Sequence, residues 1–120
     1  MSTVLIVDDV RTDREVLGRM VEASGNKVVF ATNGEEALTQ ARSLLPALVL
    51  MDVVMPGLDG FGACRRLKKE PATARIPVVL ITHKSSETDQ FWGRKQGADD
   101  YLIKPYTAEQ IRSVVKRFAP

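Results

Sequence analysis

The chain has 120 residues, of which 44% are hydrophobic and 27% are charged, as is typical of one globular domain. Its 17 basic and 15 acidic residues are interleaved, so no basic block indicates a nucleic-acid-binding surface. No apolar stretch approaches the roughly 20 residues of a membrane span, and no leader-like segment opens the chain. We therefore expect a single cytoplasmic domain with neither a nucleic-acid partner nor a membrane insertion.

Five short apolar runs alternate with five segments of helical periodicity. The runs lie at residues 4–7, 27–31, 48–52, 78–81 and 100–103. Short apolar runs bounded by turn residues predict strands buried on both faces, and helices between such strands imply right-handed crossovers. The pattern predicts an α/β fold of flavodoxin-like (βα)5 type, a three-layer sandwich around a doubly wound parallel five-stranded sheet with strand order 2-1-3-4-5.

Capping residues and apolar stripes predict where each helix begins and which face it buries. Capping boxes or single caps at five positions predict the helix starts, which are Thr12, Asn33, Asp59, Ser86 and Thr107. Residues at helical spacing predict the buried stripes, which are Val16, Leu17, Met20 and Val21; Ala37, Leu38, Ala41, Leu44 and Leu45; Phe61, Cys64 and Leu67; Phe91; and Ile111, Val114, Val115 and Phe118. Cys64, the single cysteine, is expected to be a small buried helix residue.

Polar side chains stand at the ends of four predicted strands. Asp8 and Asp9 follow the first strand, Asp52 ends the third, Thr82 ends the fourth and Lys104 follows the fifth. Taken alone, each has a plainer interpretation as a turn or capping aspartate, a strand threonine or a surface lysine. Because the carboxyl ends of parallel strands meet at one edge of the sheet, we expect all five side chains to form one site.

The combination of groups at this edge indicates a particular chemistry. Carboxylates drawn together repel one another, and a divalent cation between them would relieve that repulsion. Oxygen ligands without nitrogen or sulfur favour Mg²⁺, or Mn²⁺, over zinc. A lysine ammonium and a threonine hydroxyl can each bind a phosphoryl oxygen. The set predicts phosphoryl transfer to a carboxylate nucleophile.

The motifs that contain these residues resemble a known family. They are IVDD at residues 6–9, MDVVMPGLDG at residues 51–60, Thr82, and GADDYLIKP at residues 97–105. The whole chain resembles the receiver domain of two-component response regulators, and most closely the chemotaxis-type regulators that consist of a receiver alone. Residues 91–102 also resemble regulators of the twitching-pilus chemosensory pathway. The resemblance implies one receiver domain over residues 1–120 with no output domain.

The resemblance assigns roles to the residues at the strand ends. It implies that Asp52 accepts a phosphoryl group from a sensor histidine kinase or phosphotransfer protein. It makes Asp9 the direct ligand of Mg²⁺, Asp8 a ligand that acts through a metal-bound water, and the Val54 carbonyl the backbone ligand. Lys104 and the hydroxyl of Thr82 then both bind the transferred phosphoryl group. The chain would be a signalling protein rather than an enzyme, although it takes part in its own phosphorylation and dephosphorylation.

The same resemblance implies a conformational switch. After phosphorylation Thr82 would move toward the phosphoryl group, and Tyr101 would turn inward into the space that it leaves. The surface of helix four, strand five and helix five would change, and a downstream target protein would bind there. The Lys104–Pro105 bond resembles one that is cis in the family. A monomer or a phosphorylation-dependent dimer is compatible with this switch.

Three residues near the site are expected to influence how long the phosphoryl group persists. His83 and Lys84 follow Thr82 where the family usually has a small residue first, so His83 could restrict attacking water and Lys84 could add positive charge; both could equally be surface loop residues. Val54, two residues after Asp52, cannot orient a water, which favours a longer-lived phosphoryl group. Trp92 falls off its helix's apolar stripe, which leaves local packing and a partner contact equally open.

Three other functions share parts of this pattern. An aspartate-nucleophile phosphohydrolase would need a second acid two residues after Asp52, where the chain has Val54. A flavin- or nucleotide-binding domain would need a glycine-rich phosphate loop, which the sequence lacks. A phosphate-independent interaction module would not need the complete set of strand-end residues. These comparisons favour the receiver over its rivals.

Overall fold

A computed structural model describes residues 2–120 and contains five strands alternating with five helices. The strands are β1 (Thr3–Val7), β2 (Lys27–Ala31), β3 (Leu48–Met51), β4 (Val78–Thr82) and β5 (Asp100–Ile103). The helices are α1 (Arg11–Ala23), α2 (Gly34–Leu44), α3 (Gly60–Lys69), α4 (Glu87–Lys95) and α5 (Ala108–Phe118). None of these helices is long and apolar enough to cross a membrane.

The strands form one parallel sheet in the order β2-β1-β3-β4-β5, which confirms the predicted order. Alternate strand residues face opposite sides, so β1 sends Leu5 and Val7 to one core and Val4 and Ile6 to the other. Helices α2 and α3 cover the first core, and α1 and α5 cover the second. Helix layers on both faces explain why β3 and β4 are apolar at nearly every position.

Four of the five predicted helix caps are present. The side chains of Asn33, Asp59, Ser86 and Thr107 each accept a hydrogen bond from a backbone N–H of the first helical turn. The predicted capping box at Thr12 is wrong, because the N-cap of α1 is Val10, two residues earlier, and it makes no side-chain cap hydrogen bond.

The early start of α1 has a local cause. The Asp8 carboxylate accepts a hydrogen bond from the Val10 backbone N–H at 2.9 Å and turns the chain directly after β1. That turn sets Val10 as the residue before the helix, so Thr12 lies inside the first helical turn rather than in front of it.

The predicted stripes are correct for most of their members, but four apolar residues point outward. Val16 on α1, Leu44 and Leu45 at the end of α2, and Phe91 on α4 are 44%, 43%, 58% and 61% exposed. Leu45 has left the helix, since it adopts a left-handed backbone conformation with φ of 45°. Phe91 is exposed because α4 turns Gly93, rather than Phe91, toward Tyr101 of the sheet.

Candidate functional site

The carboxyl ends of β1, β3 and β5 bring three of the predicted site residues into contact. Asp8 and Asp52 follow neighbouring parallel strands, and Lys104 follows β5, beyond the intervening β4. The Lys104 ammonium Nζ lies 2.9 Å from Asp8 Oδ2 and 2.9 Å from Asp52 Oδ2. All three side chains are at least nine-tenths buried. The structure therefore places a paired carboxylate, Asp52, at the sheet edge where the sequence predicted a site.

Burial and ion pairing act against each other in this cluster. Removal from water raises the pKa of Asp8, and the hydrogen bonds from Lys104 and from the Val10 N–H offset part of that effect. Burial alone would lower the pKa of Lys104, but hydrogen bonds to three carboxylates outweigh it and raise this pKa above its ordinary value. The lysine therefore remains a full cation between the acids.

Sequence reasoning missed the third carboxylate, which belongs to Asp13. Its Oδ2 lies 3.0 Å from Lys104 Nζ, and its side chain is 40% exposed. The capping-box interpretation made this residue part of the helix start, which hid its contact with Lys104: it lies in the first turn of α1, and its carboxylate reaches the lysine that follows β5. The sequence did carry a signal for Asp13, because this third acid follows Asp9 by four residues, about one helical turn.

Backbone contacts hold Asp52 in place. Its N–H donates to the Val7 carbonyl at 2.9 Å, and its Oδ1 accepts from the Val54 N–H at 3.2 Å. Gly60, the first residue of α3, packs so closely that a Cβ there would lie 2.2 Å from the Asp52 carbonyl oxygen. The start of α3 thus lies directly against the backbone of the predicted acceptor.

Asp9 and Thr82 stand at the same edge of the sheet without joining the lysine cluster. Asp9 is exposed, whereas Thr82 is fully buried and its Oγ1 accepts a hydrogen bond from the Lys84 N–H at 3.4 Å. In residues 2–120 the salt bridges of Lys104 are those with Asp8, Asp13 and Asp52.

Tyr101, the predicted switch residue, has its ring turned inward in this structure. The residue is 5% exposed, and its hydroxyl donates to the Lys84 carbonyl at 2.7 Å. Burial, together with the negative charges of Asp89 and Asp52, raises the pKa of Tyr101 to about 12, so the hydroxyl keeps its proton. A tyrosine in this position links β5 to the loop before α4.

The Lys104–Pro105 peptide bond is cis, as the resemblance implied. His83 and Lys84 are both exposed, and so is Val54. His83 lines an open cleft of about 280 Å³ beside the site. The Lys84 ammonium lies 3.7 Å from Asp89 Oδ1, so a carboxylate on α4 already pairs with it.

The site has donors suited to a hard divalent cation, namely the carboxylates of Asp8, Asp9 and Asp52. Oxygen-only donors of this kind fit Mg²⁺ or Mn²⁺. Within residues 2–120, no three acidic, histidine or cysteine side chains converge as a metal-binding group. The Lys104 ammonium is the cation that the buried carboxylates contact in the described structure.

Comparison with known proteins agrees with this geometry. A family model described as the response regulator receiver domain matches residues 4–116. The chain is 46% identical over 115 residues to the protein PilH of Pseudomonas aeruginosa, covering 96% of this chain and 95% of PilH.

Solved structures give the same result. A response regulator from Chloroflexus aurantiacus superposes with a TM-score of 0.93 at 36% identity, covering 98% of this chain and 96% of that one. The receiver domain of the sensor histidine kinase PA1611 from Pseudomonas aeruginosa, solved with a magnesium ion in its active site cleft, has a TM-score of 0.90 at 26% identity and covers 98% and 96%. The chain therefore belongs to the receiver domain family of two-component response regulators.

Proposed function

We propose that this receiver takes a phosphoryl group onto the Asp52 carboxylate from a histidine kinase or phosphotransfer protein. The observation that carries the proposal is the contact between Asp52 Oδ2 and the buried Lys104 ammonium at 2.9 Å, at the carboxyl edge of the sheet. A carboxylate at the carboxyl edge of the sheet, paired with an ammonium group, is placed to act as a nucleophile toward a phosphoryl group. Its membership of a family of phosphorylation-controlled signalling proteins supports the same role.

The reaction would be a direct displacement at phosphorus. An Asp52 oxygen forms a bond to the phosphorus of a phosphohistidine, the P–N bond breaks, and the bonding pair stays on the departing imidazole. Lys104 stabilises negative charge on the transferred group, and Thr82 can donate its hydroxyl hydrogen to another phosphoryl oxygen.

Metal binding belongs to the same proposal. Asp8, Asp9, Asp52 and the Val54 carbonyl would hold Mg²⁺, with Mn²⁺ as a substitute. When bound, the cation neutralises charge on the phosphoryl oxygens. The oxygen-only donor set and the burial of Asp8 beside Asp52 support this assignment.

The output would be a change in the surface formed by α4, β5 and α5, where a downstream target protein binds. Thr82 is buried next to β5, and Tyr101 ties that strand to the loop that follows Thr82. Movement of Thr82 toward a phosphoryl group would therefore displace the Lys84 carbonyl and change its hydrogen bond with the Tyr101 hydroxyl. The protein would work in the cytoplasm, as a monomer or as a dimer formed on phosphorylation.

Two further points follow from Val54 and from the relatives. The exposed apolar side chain of Val54 supplies no second acid, which disfavours a phosphohydrolase. It also cannot orient a water, so we propose a signalling switch that loses its phosphoryl group slowly.

The resemblance of residues 91–102 to regulators of the twitching-pilus chemosensory pathway makes that pathway the first place to seek the kinase.

Intact-protein mass spectrometry tests the proposal. Incubation with acetyl phosphate and Mg²⁺ should add one phosphoryl group to the wild-type chain. The adduct should be absent from Asp52→Asn and from a chelator-treated sample, and present in Glu109→Gln, a control at an exposed acid on α5. An undiminished adduct in Asp52→Asn would contradict the assignment of the acceptor.

A further inference from the structure

An open groove runs between α3 and α4 at the end of the molecule remote from Asp52. It encloses about 520 Å³ and is lined by residues from the last turns of both helices, chiefly Arg65, Lys68, Lys69, Trp92, Lys95 and Gln96. The site of Asp52 lies at the carboxyl edge of the sheet, and helices that return antiparallel to the strands end at the opposite edge. The proposed phosphoryl chemistry therefore leaves this groove unused.

The groove has a strong excess of positive charge. No carboxylate lines it, and Arg65, Lys69 and Lys95 have no salt bridge to any residue in the part of the chain that the structure describes. Lys68 differs from these three, because its ammonium contacts Asp99 Oδ2 and the Ile76 carbonyl, both at 2.8 Å. Three cations are thus available to a ligand.

Trp92 adds an apolar surface beside these cations. The residue is 49% exposed, so about half of its surface remains accessible to a partner beside the α3 residues that line the groove. Cations in the last turn of a helix are explained by its dipole, but an exposed tryptophan next to them is not. Tryptophan and arginine are the residues most enriched at the energetic centres of protein interfaces.

The floor of the groove is firmly held. The thiol of Cys64 on α3 contacts the Gln96 carbonyl at a sulfur–oxygen distance of 3.6 Å. The Lys68 stem lies so close to Gly97 that a Cβ there would be 2.8 Å from Lys68 Cγ. A preformed groove loses little conformational entropy when a ligand binds.

We propose that the α3–α4 groove binds an acidic segment of a partner protein, with carboxylates on Arg65, Lys69 and Lys95 and an apolar side chain on Trp92. Charge complementarity selects this occupant. A nucleic acid is disfavoured because the chain as a whole carries a net charge of only +2, with basic and acidic residues interleaved along it. The inference is independent of phosphorylation at Asp52.

Trp92 is the single tryptophan of the chain, so its fluorescence reports on the groove alone. The probe is a synthetic peptide of glutamates with one central leucine, titrated at low salt, with a lysine peptide of the same design as control. The glutamate peptide should shift Trp92 emission and bind, and the lysine peptide should do neither. Calorimetry supplies the affinity without relying on fluorescence.

Matched charge variants locate the binding. The double substitution Arg65→Glu with Lys69→Glu should lower the affinity for the glutamate peptide by at least about tenfold, which corresponds to about 1.4 kcal/mol. Arg112→Glu with Lys116→Glu, at exposed positions on α5, changes the net charge equally and should leave affinity within about twofold, as expected for weak long-range screening. Arg65→Gln with Lys69→Gln serves as a milder pair if circular dichroism shows that the reversed pair misfolds.

Several results would overturn the proposal. They are no binding of the glutamate peptide, unchanged Trp92 emission at saturation, or equal weakening by the α3 and α5 variants. Tighter binding of a single-stranded oligothymidylate than of the peptide would also overturn it and identify a nucleic acid as the ligand.

Discussion

Gly93 on α4 lies face to face with the ring of Tyr101 on β5. A Cβ at Gly93 would lie 2.9 Å from both Cδ2 and Cε2 of that ring and 3.2 Å from Leu80 Cδ1. The absence of a side chain at Gly93 therefore permits the inward position of Tyr101 and its hydrogen bond to the Lys84 carbonyl. This contact also explains why Phe91, two residues earlier on the helix, points to solvent.

Substitution of Gly93 by alanine should displace Tyr101 or lift α4. The expected loss of stability is ~1–3 kcal/mol, the usual cost of overpacking a core, and urea denaturation measures it. A double-mutant cycle with Tyr101→Ala is the control, since removal of the ring should restore most of the loss. Additive effects of the two changes would contradict the contact.

Gly60 gives a second test of close packing, this time beneath the phosphorylation site. Gly60→Ala should destabilise the fold by ~1–3 kcal/mol or more and slow phosphorylation by acetyl phosphate, because the new Cβ collides with the Asp52 backbone. Gly62→Ala is the matched control on the same helix, since its Cβ would press on the end of the flexible Leu58 side chain at 2.7 Å and meet Asp59 Oδ1 at an ordinary 3.5 Å. Equal effects of both changes would argue against a special role for Gly60.

Asp13 competes for the lysine that should bind the phosphoryl group. Asp13→Asn removes a half-exposed ion pair, and such pairs contribute at most about 1 kcal/mol, so phosphorylation by acetyl phosphate should accelerate by up to about fivefold. Quenched-flow or mass-spectrometric rates measure this change. Glu15→Gln, on the same helix but paired with Arg11, is the control. A slower Asp13→Asn variant would show that the carboxylate positions Lys104 instead.

His83 stands at the cleft beside Lys104 and should limit the access of water to a phosphorylated Asp52. His83→Ala should accelerate loss of the phosphoryl group severalfold, as followed by intact mass after removal of the donor. His83→Phe keeps the bulk without the imidazole and should retain the slow rate. An unchanged decay in His83→Ala would leave the histidine without a role in phosphate lifetime.

Cys64 supplies a pH dependence of stability. Burial raises the pKa of its thiol to about 12, against an ordinary value of 9.0, so the unfolded chain releases this proton at a lower pH than the folded one. The contribution of the neutral thiol is complete below pH 9 and is lost as the pH rises toward 12. Between pH 8 and 10 the wild type should lose about 1 kcal/mol more stability than Cys64→Ala.

Alkylation provides an independent measurement on the same thiol. The buried neutral group should resist iodoacetamide at pH 8 in the folded protein and react readily in urea. Rapid labelling of the native chain would show that the thiol is accessible and would remove the basis for the pH prediction.

Local patterns in the chain predicted the architecture well. Apolar runs such as that of β3 are unambiguous when turn residues bound them, and the caps at Asn33, Asp59, Ser86 and Thr107 act within one helical turn. The predicted strand order is confirmed, and right-handed crossovers place the helices on both faces of the sheet. Predictions failed where rotation of a helix about its axis decides exposure, as for Val16 and Phe91, because neighbouring elements set that rotation.

By itself, the sequence determined the fold, the family and the placement of Asp8, Asp52 and Lys104 at one sheet edge, because these depend on strand ends and on connections of fixed hand. Tertiary structure alone decided that Asp13 joins Lys104, that Gly93 makes room for Tyr101, and that basic residues of α3 meet Trp92 of α4 across a groove. Each of these contacts joins elements distant along the chain. Their distances depend on how side chains pack between layers, which no local pattern of residues encodes.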